Sequence, residues 1–317
     1  MDPDGDHNTL TLMINRSLIR LKVVQLVYAY YQNEGKTTEV ALKELDFSLQ
    51  KTYDLYLSLL SLLVSLRRLA QHKTDVRSAA ITLSAQSNDK IFAENQFLLQ
   101  LEDNAQLALW LSKQKTTWEI EDKFVKRLYD TITRDDCFLT YVDKGDRSYE
   151  ADREVIRRLY KTHIVANEEF APILEEQSLY WNDDKDIIDS FVMKTIKRFV
   201  PETGAEQELL PAYSADEDKS FAPRLFTAAI ERADELRDRM RHNTRNWDFE
   251  RMALMDIIII QIAAAEALTF PSIPLNVTFS EFLNIAKFYS TPRSTGYVNG
   301  MLDTIIKQYK EEGVILK

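Results

Sequence analysis

The sequence predicts an all-α protein, and three observations carry that prediction. Glycine and proline, the usual punctuation of strands and turns, number only seven and eight in 317 residues. Leu, Ile, Ala, Glu, Lys and Arg, all good helix formers, dominate instead. Apolar residues also recur at helical spacing through most of the chain. The hydrophobic share of 45% is ample for a substantial core, and the length fits one large domain or two ordinary ones.

The opening "MDPDGDHNTLTL" is polar and lacks a helical period, so residues 1–12 read as a disordered tail. A helix is expected from about Ile14 to Gln32, with Leu18, Leu21, Val24, Tyr28 and Tyr31 as its apolar stripe and Arg16, Arg20 and Lys22 off it. "NEGK" ends that helix, and Thr37 or Thr38 is suited to cap the next one. A leucine-rich helix is predicted from about Lys51 to Gln71, followed by a Ser- and Thr-rich linker, "HKTDVRSAAITLSAQSNDK". From Ile91 to Val200 the pattern stays helical, broken at "SKQKTTWE", "DKGDRS" and "YWNDDKD". "VIRRLYKTHI" and "FAPRLFTAAI" echo each other at an offset of 66 residues, which raises a duplicated helical hairpin against the simpler reading of chance likeness between leucine-rich helices. Residues 201–219 join two prolines and a glycine to strong acidity and read as a linker. Beyond it, helices are expected at about 220–243, 248–268, 280–289 and 294–312, with Ser280 and Ser294 as starting caps.

A net charge of −10 argues against nucleic acid as a partner, since phosphate contacts need basic surface. The charge is uneven, however. Residues 168–219 hold 14 acidic against 5 basic side chains, so local basic surface remains elsewhere. Cys137 is the only cysteine, which excludes an internal disulfide, and no secretory signal opens the sequence; a reducing cytoplasm is the expected compartment. Apolar runs such as "IIIIQIAAAEAL" fall short of the roughly 20 residues that a membrane span needs. The four histidines are scattered, no Cys or His pair has metal-ligand spacing, and no glycine-rich phosphate loop occurs, so neither a metal nor a nucleotide cofactor is expected.

The C-terminal third carries a spaced series of matches. An acidic residue and Arg251 precede "DIII"; Ile273, Pro274 and Val277 form an "IP-x-x-V" turn; Ser280 precedes Glu281; Ala286 and Lys287 follow; and Ser294 to Asp303 read "STGYVNGMLD". This series resembles the bacterial transcription antitermination factor family NusB, as does the N-terminal helix with Val24, Gln25 and Tyr28. The likeness covers about residues 14–49 and 217–312. It implies an all-α, NusB-like pair of helical bundles, formed by N-terminal helices at 13–49 and a C-terminal bundle at 217–317, and enlarged by an internal helical insert with an acidic linker at 50–216. The insert departs from family members of ordinary length.

The resemblance further implies a non-catalytic factor that binds boxA-like single-stranded RNA with NusE, the tenth small-subunit ribosomal protein, within the RNA polymerase antitermination complex during ribosomal RNA synthesis. It assigns RNA binding to the first helix, where Arg16, Arg20 and Lys22 match the family's basic face. Arginine suits that task because its planar fork grips phosphate and stacks on unpaired bases. A second cluster, "RDRMRHNTR", contributes Arg241 and Arg245, for which complementing the helix dipole is the competing explanation. Arg293 and Ser294, at the start of the last helix, complete the expected RNA-binding set. An alternative from another class is an all-α protein-interaction scaffold that has lost RNA binding, favoured by the sparse charge on the first helix. Ribosomal RNA methyltransferases with a NusB-like domain require a glycine-rich, sheet-based cofactor domain, and the insert has only helix-like segments.

Gly296 and Gly300 stand four apart in the last helix. Their spacing predicts a groove for a close helix neighbour within the core, with the helix start left as binding surface.

Overall fold

Helix-forming sequence is realised as helix throughout the computed structural model, which describes the chain except for residues 1–13, 34–36, 80–86, 116–117, 121, 182, 214–215, 245–248 and 292–293. The expected tail at 1–12 lies outside the described residues, and no strand occurs among them. The chain divides into two compact units, one of residues 14–49 and 213–317, the other of residues 50–212.

In the first unit, α1 (Arg16–Gln32) starts at Asn15, whose side chain accepts the Leu18 amide at 2.9 Å. α1 does not behave as a surface helix. Every residue from Leu18 to Val24 is buried, Arg20 and Lys22 included. α2 (Thr38–Ala79) runs without a break where two helices were expected, and the division between the units falls within it. The reason is local: "DFSLQK" contains no glycine or proline, and Ser48 satisfies its hydroxyl on the Leu45 carbonyl inside the helix. The helix also takes in residues up to Ala79 of the stretch expected to be a linker.

The second unit continues with α3 (Asn88–Ala93), α4 (Gln96–Asp103), α5 (Ala105–Leu111), α6 (Lys123–Ile132), α7 (Asp136–Lys144), α8 (Tyr149–Tyr160), α9 (Phe170–Gln177) and α10 (Lys185–Arg198). Short polar residues define these starts: Ser87, Asn95, Asn104, Asp122, Asp135 and Ser148 each accept an amide of the helix they precede. Gly145, at φ 66°, closes α7 in the left-handed conformation that glycine adopts without a Cβ clash. A π-helical turn at Lys161–Val165 follows α8. It faces His163 toward Asp135, Nε2 to Oδ2 2.9 Å, while Asp135 Oδ1 accepts the Cys137 amide at 2.7 Å. The interior combines aromatic edges, such as Phe124 against Phe170 at 4.9 Å, with buried tyrosines that donate to carboxylates: Tyr129 to Asp89 and Tyr160 to Asp189, both 2.6 Å. Burial pushes the Tyr160 hydroxyl well above the usual phenol range, so it stays a donor.

The first unit resumes with α11 (Asp216–Glu231) and α12 (Ala233–Asn243), split at Arg232 where one helix was expected. α13 (Leu254–Thr269) is the centre of this unit and packs on α1, α11, α12, α14 (Leu275–Tyr289) and α15 (Ser294–Glu311). Its residues from Asp256 to Ala267 are all buried, as its unbroken apolar run requires. α14 begins five residues before Ser280, because Pro274 supplies both an extended N-cap and the carbonyl that accepts the Thr278 amide.

Two buried polar side chains on α13 bind its neighbours. Gln261 donates to Tyr31 Oη at 2.8 Å and to the Ala229 carbonyl at 2.7 Å, and accepts from Arg237 Nε at 3.1 Å. Glu266, with no exposed surface, receives Arg20 through Nε at 2.6 Å and Nη2 at 3.0 Å, and the Thr278 hydroxyl at 2.8 Å. Truncating one member of such a pair strands the other charge in the core. Arg20→Ala is therefore expected to lower unfolding stability by about 3–5 kcal/mol in urea titration. Arg20→Lys should recover only part of that loss, because an ammonium cannot span both carboxylate oxygens.

Candidate nucleic-acid interface

The expected basic face of α1 does not exist as a solvent-facing surface. Arg20 retains 2% of its exposure and forms the fork on Glu266, with Glu281 3.7 Å from its other nitrogen. Lys22 is equally buried, at 2%. The assignment of both residues to RNA contact is corrected accordingly: a cation that is enclosed by protein cannot meet a phosphate without disrupting the core around it. Arg16, the first residue of α1, differs. It is half-buried, with its guanidinium carbon 5.3 Å from the centre of the Phe221 ring.

The second cluster separates into packing and surface arginines. Arg237 lies over the Tyr31 ring at 4.2 Å and donates to Gln261, so it belongs to the interior. Arg239 lies over Tyr309 at 3.9 Å and pairs with Glu312 at 2.7 Å, which holds the Glu312 carboxyl below its ordinary range. Arg241 is exposed, sits 4.8 Å from the Phe249 ring and pairs with Asp238 at 2.7 Å, three residues earlier on α12. Such an exposed pair is weak and can exchange its carboxylate for a phosphate. Arg245 and Arg293 lie outside the described residues. Ser294 is the first residue of α15 and is buried; its hydroxyl shares a hydrogen bond of 2.8 Å with Thr291 Oγ1, so it acts inside the turn.

Arg224 is the surface cation that sequence reading passed over. It is exposed on α11, its guanidinium carbon is 4.7 Å from the centre of the Phe270 ring, and it pairs with no carboxylate among the described residues. Its signal in the sequence is slight, an arginine three residues after Phe221, which places both on one side of α11.

Gly296 and Gly300 receive a different explanation from the one expected. A Cβ added to either would meet nothing within 4 Å, so the glycines do not seat α15 against a neighbour within the chain. Thr304, one turn further on, is exposed and returns its hydroxyl to the Gly300 carbonyl at 2.8 Å.

Among the described residues, no group of three or more His, Cys, Asp or Glu side chains is placed to hold a metal ion, and no helix is long and apolar enough to cross a membrane.

Comparison with known proteins gives a consistent result. The NusB family model matches residues 184–307, a stretch that also takes in α10 and the acidic connector after it. The transcription antitermination protein NusB of Salinibacter ruber is 36% identical over 132 residues, which are 40% of this chain and 82% of that protein. The protein of the same name from Geobacter sp. is 31% identical over 130 residues, 41% of this chain and 86% of its own length. That from Dictyoglomus thermophilum is 32% identical over 113 residues, with shares of 36% and 78%. No solved structure matches the chain.

The open space beside the two glycines has a measurable consequence. Gly296→Ala and Gly300→Ala should each raise stability by about 0.5–1 kcal/mol, because alanine reduces the entropy lost on helix formation and meets no clash. Thermal or urea unfolding of each variant checks this; a lowered midpoint would reveal a neighbour against that face.

Proposed function

The chain belongs to the NusB family, and on that premise we propose that it is a non-catalytic transcription antitermination factor of the cytoplasm. In this reading it joins NusE and boxA-like single-stranded RNA in the RNA polymerase antitermination complex. The observation that carries the reading is 36% identity to the Salinibacter ruber protein across 82% of that protein's length. The RNA contacts are proposed at the surface cations Arg16 and Arg241, together with Arg245 and Arg293. Ser294 supports the turn before α15 through its hydrogen bond with Thr291.

A second reading, an all-α protein-interaction scaffold without RNA affinity, is favoured by the enclosure of Arg20 and Lys22. The two readings differ in one measurement. With purified NusE immobilised, the antitermination reading expects this chain to be retained and boxA-like RNA to strengthen retention; retention indifferent to RNA favours the scaffold. In fluorescence titrations, Arg241→Ala should weaken RNA binding about three- to tenfold and flatten the salt dependence by about 0.7 in log–log slope, the value for one phosphate on a single strand. Equal affinity and slope for the wild type and this variant would remove Arg241 from the interface.

A further inference from the structure

The aromatic pair beneath the surface arginines has a role that packing alone does not explain. Phe221 of α11 and Phe270, the residue that ends α13, lie with ring centres 4.7 Å apart and planes at 56°. They are 1% and 7% exposed, so their faces are closed to any base. Two arginines cover them, Arg16 over Phe221 and Arg224 over Phe270. The carbonyl of Phe270 is in turn fixed by Lys317 Nζ at 2.7 Å, which holds the second ring at its place in the row.

A guanidinium lying over an aromatic ring loses little further entropy when it binds a ligand, because the ring already restricts its plane. Its nitrogen edge stays available for an anion, and its outer face accepts a stacked base. Arg20 also lies over Phe221, at 5.5 Å, but its charge is committed to Glu266. The outward cations at this row are therefore Arg16 and Arg224. Arg16 begins α1 and Arg224 lies on α11, two helices that pack on one another in the same unit.

We propose that Arg224 and Arg16, seated over the Phe270–Phe221 pair, form a clamp for the sugar–phosphate backbone of single-stranded RNA, with Arg224 supplying the exposed grip that the enclosed Arg20 and Lys22 do not. The proposal rests on the RNA-binding reading above and adds a residue and a mechanism to it. Single-stranded RNA fits this surface because planar cations recognise both of its recurring features, a charged oxygen and a free π-face; an acidic polypeptide offers only the first.

The test is a fluorescence titration of a short boxA-like RNA against the full chain, at several salt concentrations, for the wild type, Arg224→Ala, Arg224→Lys and Arg239→Ala. Arg224→Ala is expected to weaken binding about tenfold and to reduce the log–log salt slope by about 0.7. Arg224→Lys is expected to keep the slope and lose about threefold, since it retains charge but not the planar stack. Arg239→Ala, whose parent is tied to Glu312, serves as the control and should match the wild type. Wild-type binding with Arg224→Ala unchanged overturns the clamp and leaves the RNA-binding reading standing. No wild-type binding overturns both. Polyglutamate that competes as well as RNA, charge for charge, also overturns the clamp, because it shows attraction to any anion. If Arg224→Ala lowers the melting midpoint, Arg224→Lys decides: affinity equal to the wild type overturns the proposal.

Discussion

The unit built from both ends of the chain depends on one buried contact, the two-pronged ion pair between Arg20 and Glu266. It joins residues 246 positions apart, and it does so inside a region where an unpaired charge would be intolerable. Desolvating two charges consumes much of what their attraction returns, so the pair contributes selectivity more than raw stability. Only one registry of α1 against α13 satisfies both nitrogens and both oxygens. Thr278 fills a remaining position on the carboxylate and thereby ties α14 to the same point. Gln261, five residues earlier on α13, performs a neutral version of the same task for Tyr31, Ala229 and Arg237.

This arrangement gives the arginines of the unit distinct duties. Arg20 and Arg237 are structural, one through a carboxylate and one through an amide. Arg239 has a tyrosine beneath it and a glutamate beside it. Arg224 and Arg241 keep their charge at the surface while an aromatic ring restrains them. Membership in the NusB family thus coexists with a first helix whose central cations look inward. The location of surface charge has to be read from the folded chain, since residue type and helical spacing assign the same positive charge to all of these positions.

The helical class was legible because it follows from composition, and many helix starts were legible because they follow from one short polar residue. The last helix needed little correction, with Ser294 at its beginning and its apolar residues Val298, Met301, Leu302 and Ile305 inside. What escaped the sequence was nonlocal. Treating Arg20 and Lys22 as solvent-facing assumed that a cation marks the outer side of an amphipathic helix; the carboxylate that reverses this for Arg20 lies near the other end of the chain. α2 was divided because leucine density rose after Lys51, although no residue there breaks a helix. The opposite error occurred at α14, where Pro274 was taken as loop punctuation and instead begins the helix. The glycine spacing in α15 specified a smooth face but not what lies beside it, and open space adjoins it.

The π-helical turn at Lys161–Val165 has a consequence for how the second unit tolerates change in length. A wide turn of this kind holds one residue more than the regular ladder, so deleting a single position there would restore ordinary winding and swing the side chains beyond it by about 100° around the axis. His163 would leave Asp135, and the carboxylate that also starts α7 would lose the partner that orients it. A one-residue deletion in this turn therefore acts at a distance along the chain, as a lesion in the beginning of a different helix.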